Sequence, residues 1–159
     1  MAQTTLVDIY AAARAAAAAV EVNIYIGSLA DFATEAGVAS TFDPVLVLEY
    51  PTGSDTPLSG GNAIKTAYSL RGYMLTSDAH DSTSDAVLEP SEFITPRQLN
   101  LEAMDALMTS FIFAFRDALV GINAQFTSAG NGQSYWHFTP NPRVGVGRTF
   151  GATVVNVTC

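Results

Sequence analysis

Asp78, His80, Asp81 and Asp85 fall in one short polar stretch and are the residues that most resemble a metal site. An imidazole among carboxylates is a donor set that divalent ions accept. Zinc, however, favours more nitrogen or sulfur ligands, and calcium a loop of the DxDxDG kind, neither of which is present. The stretch is expected to be a solvated acidic loop without a metal. His137, beside Trp136, has the pKa range of a general base, with Ser134 or Cys159 as conceivable nucleophiles. There is no GxSxG elbow, and a cysteine at position 159 is poorly placed for the electropositive pocket that makes a thiolate. His137 is therefore expected to be a packed or edge-strand residue, as His80 is a loop residue. Glu89 and Glu92 flank Pro90 in a polar segment, where solvation outweighs any raised pKa. GVGRTFG (145–151) resembles a phosphate loop, but its spacing is GxGxxxG, it precedes a strand, and it lacks the GK[ST] ending. The expectation is no catalytic residue, no cofactor, no metal, and no enzymatic activity.

Composition points the same way. With 159 residues, 48% apolar and 14% charged, the chain has enough hydrophobic material for a single domain spanning 1–159. Seven basic residues against fifteen acids give a net charge of −8, and the basic ones form no cluster able to track phosphates. Cys159 is the only cysteine, so no intrachain disulfide can form. The alanine-rich N-terminal stretch lacks a basic n-region and a strongly apolar core, so it reads as mature structure. No run of apolar residues is long enough to span a bilayer, which predicts a soluble chain with no membrane partner.

The elements that must position these residues follow from periodicity. Thr5 and Asp8 resemble a capping box, and Leu6, Ile9, Tyr10, Ala13, Ala17 and Val20 recur at helical spacing, predicting a helix over 6–20. VNIYI (22–26), VLVLEY (45–50) and AYSLRGYML (67–75) read as strands, with Gly72 marking a bulge or a close approach; LADFATEA between the first two has the pattern of a short helix. Thr95, Pro96 and Gln98 are three start signals of one long helix that stops at Gly121. Its stripe of Leu101, Met104, Met108, Phe111, Ile112, Phe115 and Leu119 should lie on the sheet. SYWHF (134–138) and TFGATVVNVTC (149–159) close the order α-β-β-β-α-β-β. The predicted fold is α+β, a two-layer sandwich of about five mostly antiparallel strands packed by two helices. Long loops or arms are expected at about 52–64, 77–94 and 139–150.

Two features suggest contacts with other chains. Phe113 and Val120 fall off the core stripe of the long helix, with Leu99 on the same side, an apolar strip that a partner would bury. Arg143, Arg148 and Phe150 sit between prolines and glycines, the composition of a mobile hairpin arm whose guanidiniums would pair with a neighbouring subunit's carboxylates. Leu99, Phe113, Val120, Arg143, Arg148 and Phe150 are thus the expected subunit interface.

The chain resembles the tail terminators and related neck proteins of tailed bacteriophages. The resemblance rests on the opening helix TTLVDIYAAARAAAAA, the strand DPVLVLEYP, AYSLRGYMLTSDAHD running into a polar loop, the long helix after Thr95, and the final GATVVNVTC. It spans most of the chain and lies in the order of elements rather than in any chemical motif. It implies a structural virion protein, assembled in the host cytoplasm. In such a virion it would form a homohexameric ring that terminates the tail tube, joins it to the connector on the portal side, and lets DNA pass without specific binding. An acidic lumen would repel phosphates, and Asp78, Asp81, Asp85, Glu89 and Glu92 are its expected lining.

Other phage connector or tail components share these features. A ligand-binding module using Tyr135, Trp136 and Phe138, or a small hydrolase or isomerase using His80 or His137, are competing readings. Replacing the five acids by their amides should leave ring assembly intact and slow genome ejection. An ejection rate equal to wild type would count against a lumen lined by them.

Overall fold

The computed structural model describes residues 3–34, 43–77, 96–129, 133–137 and 143–157, with the backbone alone for 96, 97, 128, 129 and 133–137. In chain order the elements are α1 (Leu6–Ala19), β1 (Asn23–Ile26), α2 (Leu29–Thr34), β2 (Val45–Leu48), β3 (Thr52–Pro57), β4 (Ala63–Ser77), α3 (Pro96–Val120), β5 (Ala124–Ala129), β6 (Gln133–His137) and β7 (Arg143–Val157). The α+β class, the predominantly antiparallel sheet and the two long packing helices agree with expectation. The sheet has seven strands among the described residues rather than about five, and β1 pairs with β2 in parallel.

β4 and β7 form the spine of the sheet. They pair antiparallel without interruption from Ala63–Val157 to Ser77–Arg143. At one end β2 and then β1 add to β4, and β6 adds to β7; at the other end β3 adds to β4 and β5 to β7. Side chains alternate across a strand, so this one register divides the residues between two faces. Even-numbered residues of both strands, among them Leu70, Met74, Val146, Phe150, Ala152 and Val154, enter the main core under α1 and α3. Odd-numbered Leu75 and Tyr73 point to the other face, where α2 seats Phe32 against Val45 and Val47. β2 is consequently buried on both sides.

α1 begins where the Asp8 carboxylate accepts hydrogen bonds from the Thr5 amide (2.7 Å) and hydroxyl (3.0 Å). It ends with Glu21 in the left-handed region, the Val22 amide donating to Ala17 and the Glu21 amide to Ala18, a Schellman arrangement. Ala12, Ala13, Ala16 and Ala17 are all buried, and their small side chains let α3 and the sheet approach closely. α3 buries its expected stripe, only Leu101 remaining partly exposed. It ends at Val120 in a turn whose left-handed residue is Asn123 rather than Gly121.

Gly72 introduces no bulge. It permits close approach: a Cβ there would lie 3.2 Å from the Phe150 ring and 3.3 Å from Leu46. The stretch 52–64 is not a loop but β3 turning into β4, tied across by the Thr66 hydroxyl donating to Asp55 (2.6 Å).

The segment expected as an arm, 139–150, is corrected most strongly. Residues 143–150 are the first half of β7, paired with β4 throughout and with β6 on the other side over 143–147. GVGRTFG is glycine-rich for packing: a Cβ at Gly147 would meet the Tyr73 ring at 2.9 Å. Phe150 is 2% exposed and meets Phe111, Phe115 and Phe126 at centroid distances of 6.0, 5.5 and 6.5 Å. It belongs to the core and not to a subunit interface. Phe150→Ala should therefore lower stability by about 3–5 kcal/mol in urea denaturation; a loss below about 0.5 kcal/mol would be that of a surface residue and would refute this placement.

Candidate functional site

Two of the residues expected to reach a neighbouring subunit are engaged within the chain. Arg148, on the helical face of β7, donates through Nη2 to Asp105 Oδ1 of α3 at 2.6 Å. Arg143, on the opposite face, is 2% exposed, lies over the Phe32 ring at 5.8 Å from its centroid, and places Nη1 3.9 Å from Asp43 Oδ1. Both act as internal ties, because each falls inside a paired strand and faces an element packed on the sheet.

The Asp43 node collects several groups. Its Oδ1 also accepts from the Thr76 hydroxyl at 2.7 Å and the Ser77 amide at 3.2 Å. Burial alone would push the Asp43 carboxyl up, but the Thr76 and Ser77 hydrogen bonds and the Arg143 charge outweigh it and hold the pKa below its ordinary value. Burial lowers the pKa of Arg143, and Asp43 offsets part of that; the guanidinium stays charged at neutral pH. The node thus staples the start of β2 to the ends of β4 and β7.

Leu99, Phe113 and Val120 are placed as expected, exposed by 52%, 52% and 71% on the side of α3 away from the sheet. Ala106, also exposed, completes a seven-residue spacing from Leu99 to Val120, so the four form one seam along the helix. The Arg116 guanidinium lies 5.0 Å from the centre of the Phe113 ring and 3.7 Å from Asp117.

A second surface was not anticipated. On the odd-numbered face, α2 covers only the end of the sheet near β2. Beyond it the face of β3, β4, β7 and β5 is open among the described residues, with Thr52, Ser54, Ser69, Thr127 and Thr149 exposed. A depression of about 340 Å³ lies there, floored by Ala67 and Gly151 and reaching Tyr68 and Phe150. A smaller one of about 240 Å³ adjoins it at Glu49, Tyr50 and Arg71. Farther along, Val155 and Val157 are 50% and 55% exposed. The alternation of hydroxyl and apolar residues in β4 and β7 carried this signal, but only the register shows that the polar sets coincide.

Asp78, His80, Asp81, Asp85, Glu89, Glu92, Phe138 and Cys159 lie outside the described residues, as do the side chains of Ser134, Tyr135, Trp136 and His137. Among the described residues no three His, Cys, Asp or Glu side chains gather as metal ligands, and no helix is long and apolar enough to cross a membrane. No protein-family model matches the chain, and no curated protein matches it.

The Asp43 node makes a pH prediction. A carboxyl held below its unfolded pKa adds stability above that value and loses it as pH falls through the folded one. Asp43→Asn should be less stable than wild type at pH 7, and the gap should shrink as pH drops below about 4, where the unfolded carboxyl begins to take up a proton ahead of the folded one. Urea midpoints at pH 7 and pH 3 measure this; an equal gap at both would show that the charge of Asp43 has no part in the staple.

Proposed function

We propose that the chain is a structural protein of a tailed-phage virion, forming a ring at the head–tail neck that terminates the tail tube and joins it to the connector. The observation that carries the reading is the seam of Leu99, Ala106, Phe113 and Val120. α3 is already anchored by a full apolar stripe on its other side, so this row is surplus to the monomer's own core. Burying such a row in a neighbour removes apolar surface from water at roughly 25 cal/mol per Å².

The charge balance of −8 suits a channel through which DNA passes without adhering. The order of helix, sheet and long crossing helix supports placement among neck proteins, with a hexamer as the stoichiometry that the resemblance implies. The partners on this reading are further copies of the chain, the tail tube, and the connector on the portal side.

Light scattering with negative-stain imaging tests the reading directly. Wild type is expected to form closed rings of several copies. Leu99→Asp combined with Val120→Asp should give monomers with an unchanged far-ultraviolet circular dichroism spectrum. A wild-type chain that stays monomeric at every concentration and binds neither tail tube nor connector would overturn it.

A further inference from the structure

We propose that the contact between neighbouring copies is heterologous: the α3 seam of one copy lies along the open sheet face of the next, with Phe113 entering the depression floored by Ala67 and Gly151. The inference rests on the ring reading and adds to it the identity of both contacting surfaces.

Their placement is the first argument. The seam is on the outer side of the helical layer, whereas the open face is the opposite side of the sheet, so each protomer carries two unlike exposed surfaces pointing apart. An isologous dimer uses one patch twice and would leave the other uncovered. Head-to-tail joining of unlike patches occupies both, and it closes into a ring when the rotation permits.

Dimensions agree. From Leu99 to Val120 the seam runs about 32 Å at helical rise. The open half of the sheet, from the Arg71–Thr149 pair to the Ala63–Val157 pair, runs about 27 Å at strand rise. The floor of the depression is made of small residues, so a projecting ring can reach the backbone, and its volume of about 340 Å³ has room for one. Val155 and Val157, exposed beside it, supply apolar surface for the rest of the seam.

Charge also matches. Glu102 and Asp117 flank the seam, and the one base there with a described side chain, Arg116, is held over Phe113 and beside Asp117. Among the described residues the open face carries Lys65 and Arg71 with Glu49 as its one acid; Asp55 lies on the opposite face with Thr66. A slightly negative seam therefore meets a slightly positive face, and the same charges disfavour pairing of like with like.

Two exposed substitutions test the contact in the full-length chain: Phe113→Glu blocks the seam, and Ser69→Glu blocks the depression. Circular dichroism and thermal melting should show both folded. Each variant alone is expected to lose ring formation and remain monomeric by light scattering. Mixed in equal amounts they retain one intact junction, seam of Ser69→Glu on sheet face of Phe113→Glu, and should form a heterodimer of one copy each and nothing larger.

The contact is overturned if either variant assembles as wild type does, or if the mixture stays monomeric. In both cases a wild type that still forms rings leaves the ring reading standing. A wild type that is itself monomeric defeats that reading, and the contact with it.

Discussion

The uninterrupted pairing of β4 with β7 is the constraint on which the rest of the molecule depends. Its fifteen rungs extend for roughly 50 Å, far longer than the usual strand, and neither strand is an edge along most of its length. Each lends one half of its outer side to one short strand and the other half to another. β2, β3, β5 and β6, all of six residues or fewer, would be marginal alone and are strands because the spine offers them a ladder, and the four-residue β1 adds in turn to β2. One register also decides which residues face the helices. A shift by a single residue would put Leu70, Met74 and Phe150 in water and Arg71 and Thr149 in the core.

Packing then differs between the two faces and between the two ends. On the helical face, Phe111, Phe115, Phe126 and Phe150 make a continuous aromatic cluster, with buried alanines of α1 admitting the helices close to the strands. On the other face, among the described residues, only one end is covered, by the short α2, and there the buried Arg143 lies near the Asp43 carboxylate and over the Phe32 ring. A charge buried in that way is tolerable because its partners are fixed by strands on either side. The rest of that face has mostly hydroxyl, glycine and alanine positions, stable in water without cover, with Val155 and Val157 as its exposed apolar exceptions.

Legibility in the sequence followed how local the determining physics is. α1 and α3 were readable because caps and a helical stripe are short-range signals, and Met104, Met108, Phe111, Phe115 and Leu119 are buried where that period places them. β3 was missed because Thr52–Pro57 holds glycine, serine, aspartate and proline, which read as turn chemistry; its conformation comes from Ile64–Ser69 alongside. The first half of β7 was misread for the same reason. Glycine in GVGRTFG signals a loop locally, whereas here it makes room for a tyrosine from the neighbouring strand. Arg143, Arg148 and Phe150 were drawn into that misreading and assigned outward, although two of them are buried and the third is bonded to α3. The open sheet face was invisible because it joins the hairpin of β3 and β4 to β5 and β7, which lie far along the chain from it.

The partners in the β4–β7 ladder are far apart in the chain, from Ser77–Arg143 to Ala63–Val157, and α3 lies between them. Such non-local pairing is slow, on the scale of milliseconds to seconds for sheet-dominated domains, because loop closure comes before any reward. The helical seam is therefore synthesised ahead of the strand that completes the open face. A growing chain has its apolar helix row before it has Thr149, Gly151, Val155 and Val157 in place to form a sheet surface. Order of synthesis thus separates the two surfaces in time, and a newly made copy presents both of them only when the spine zips shut.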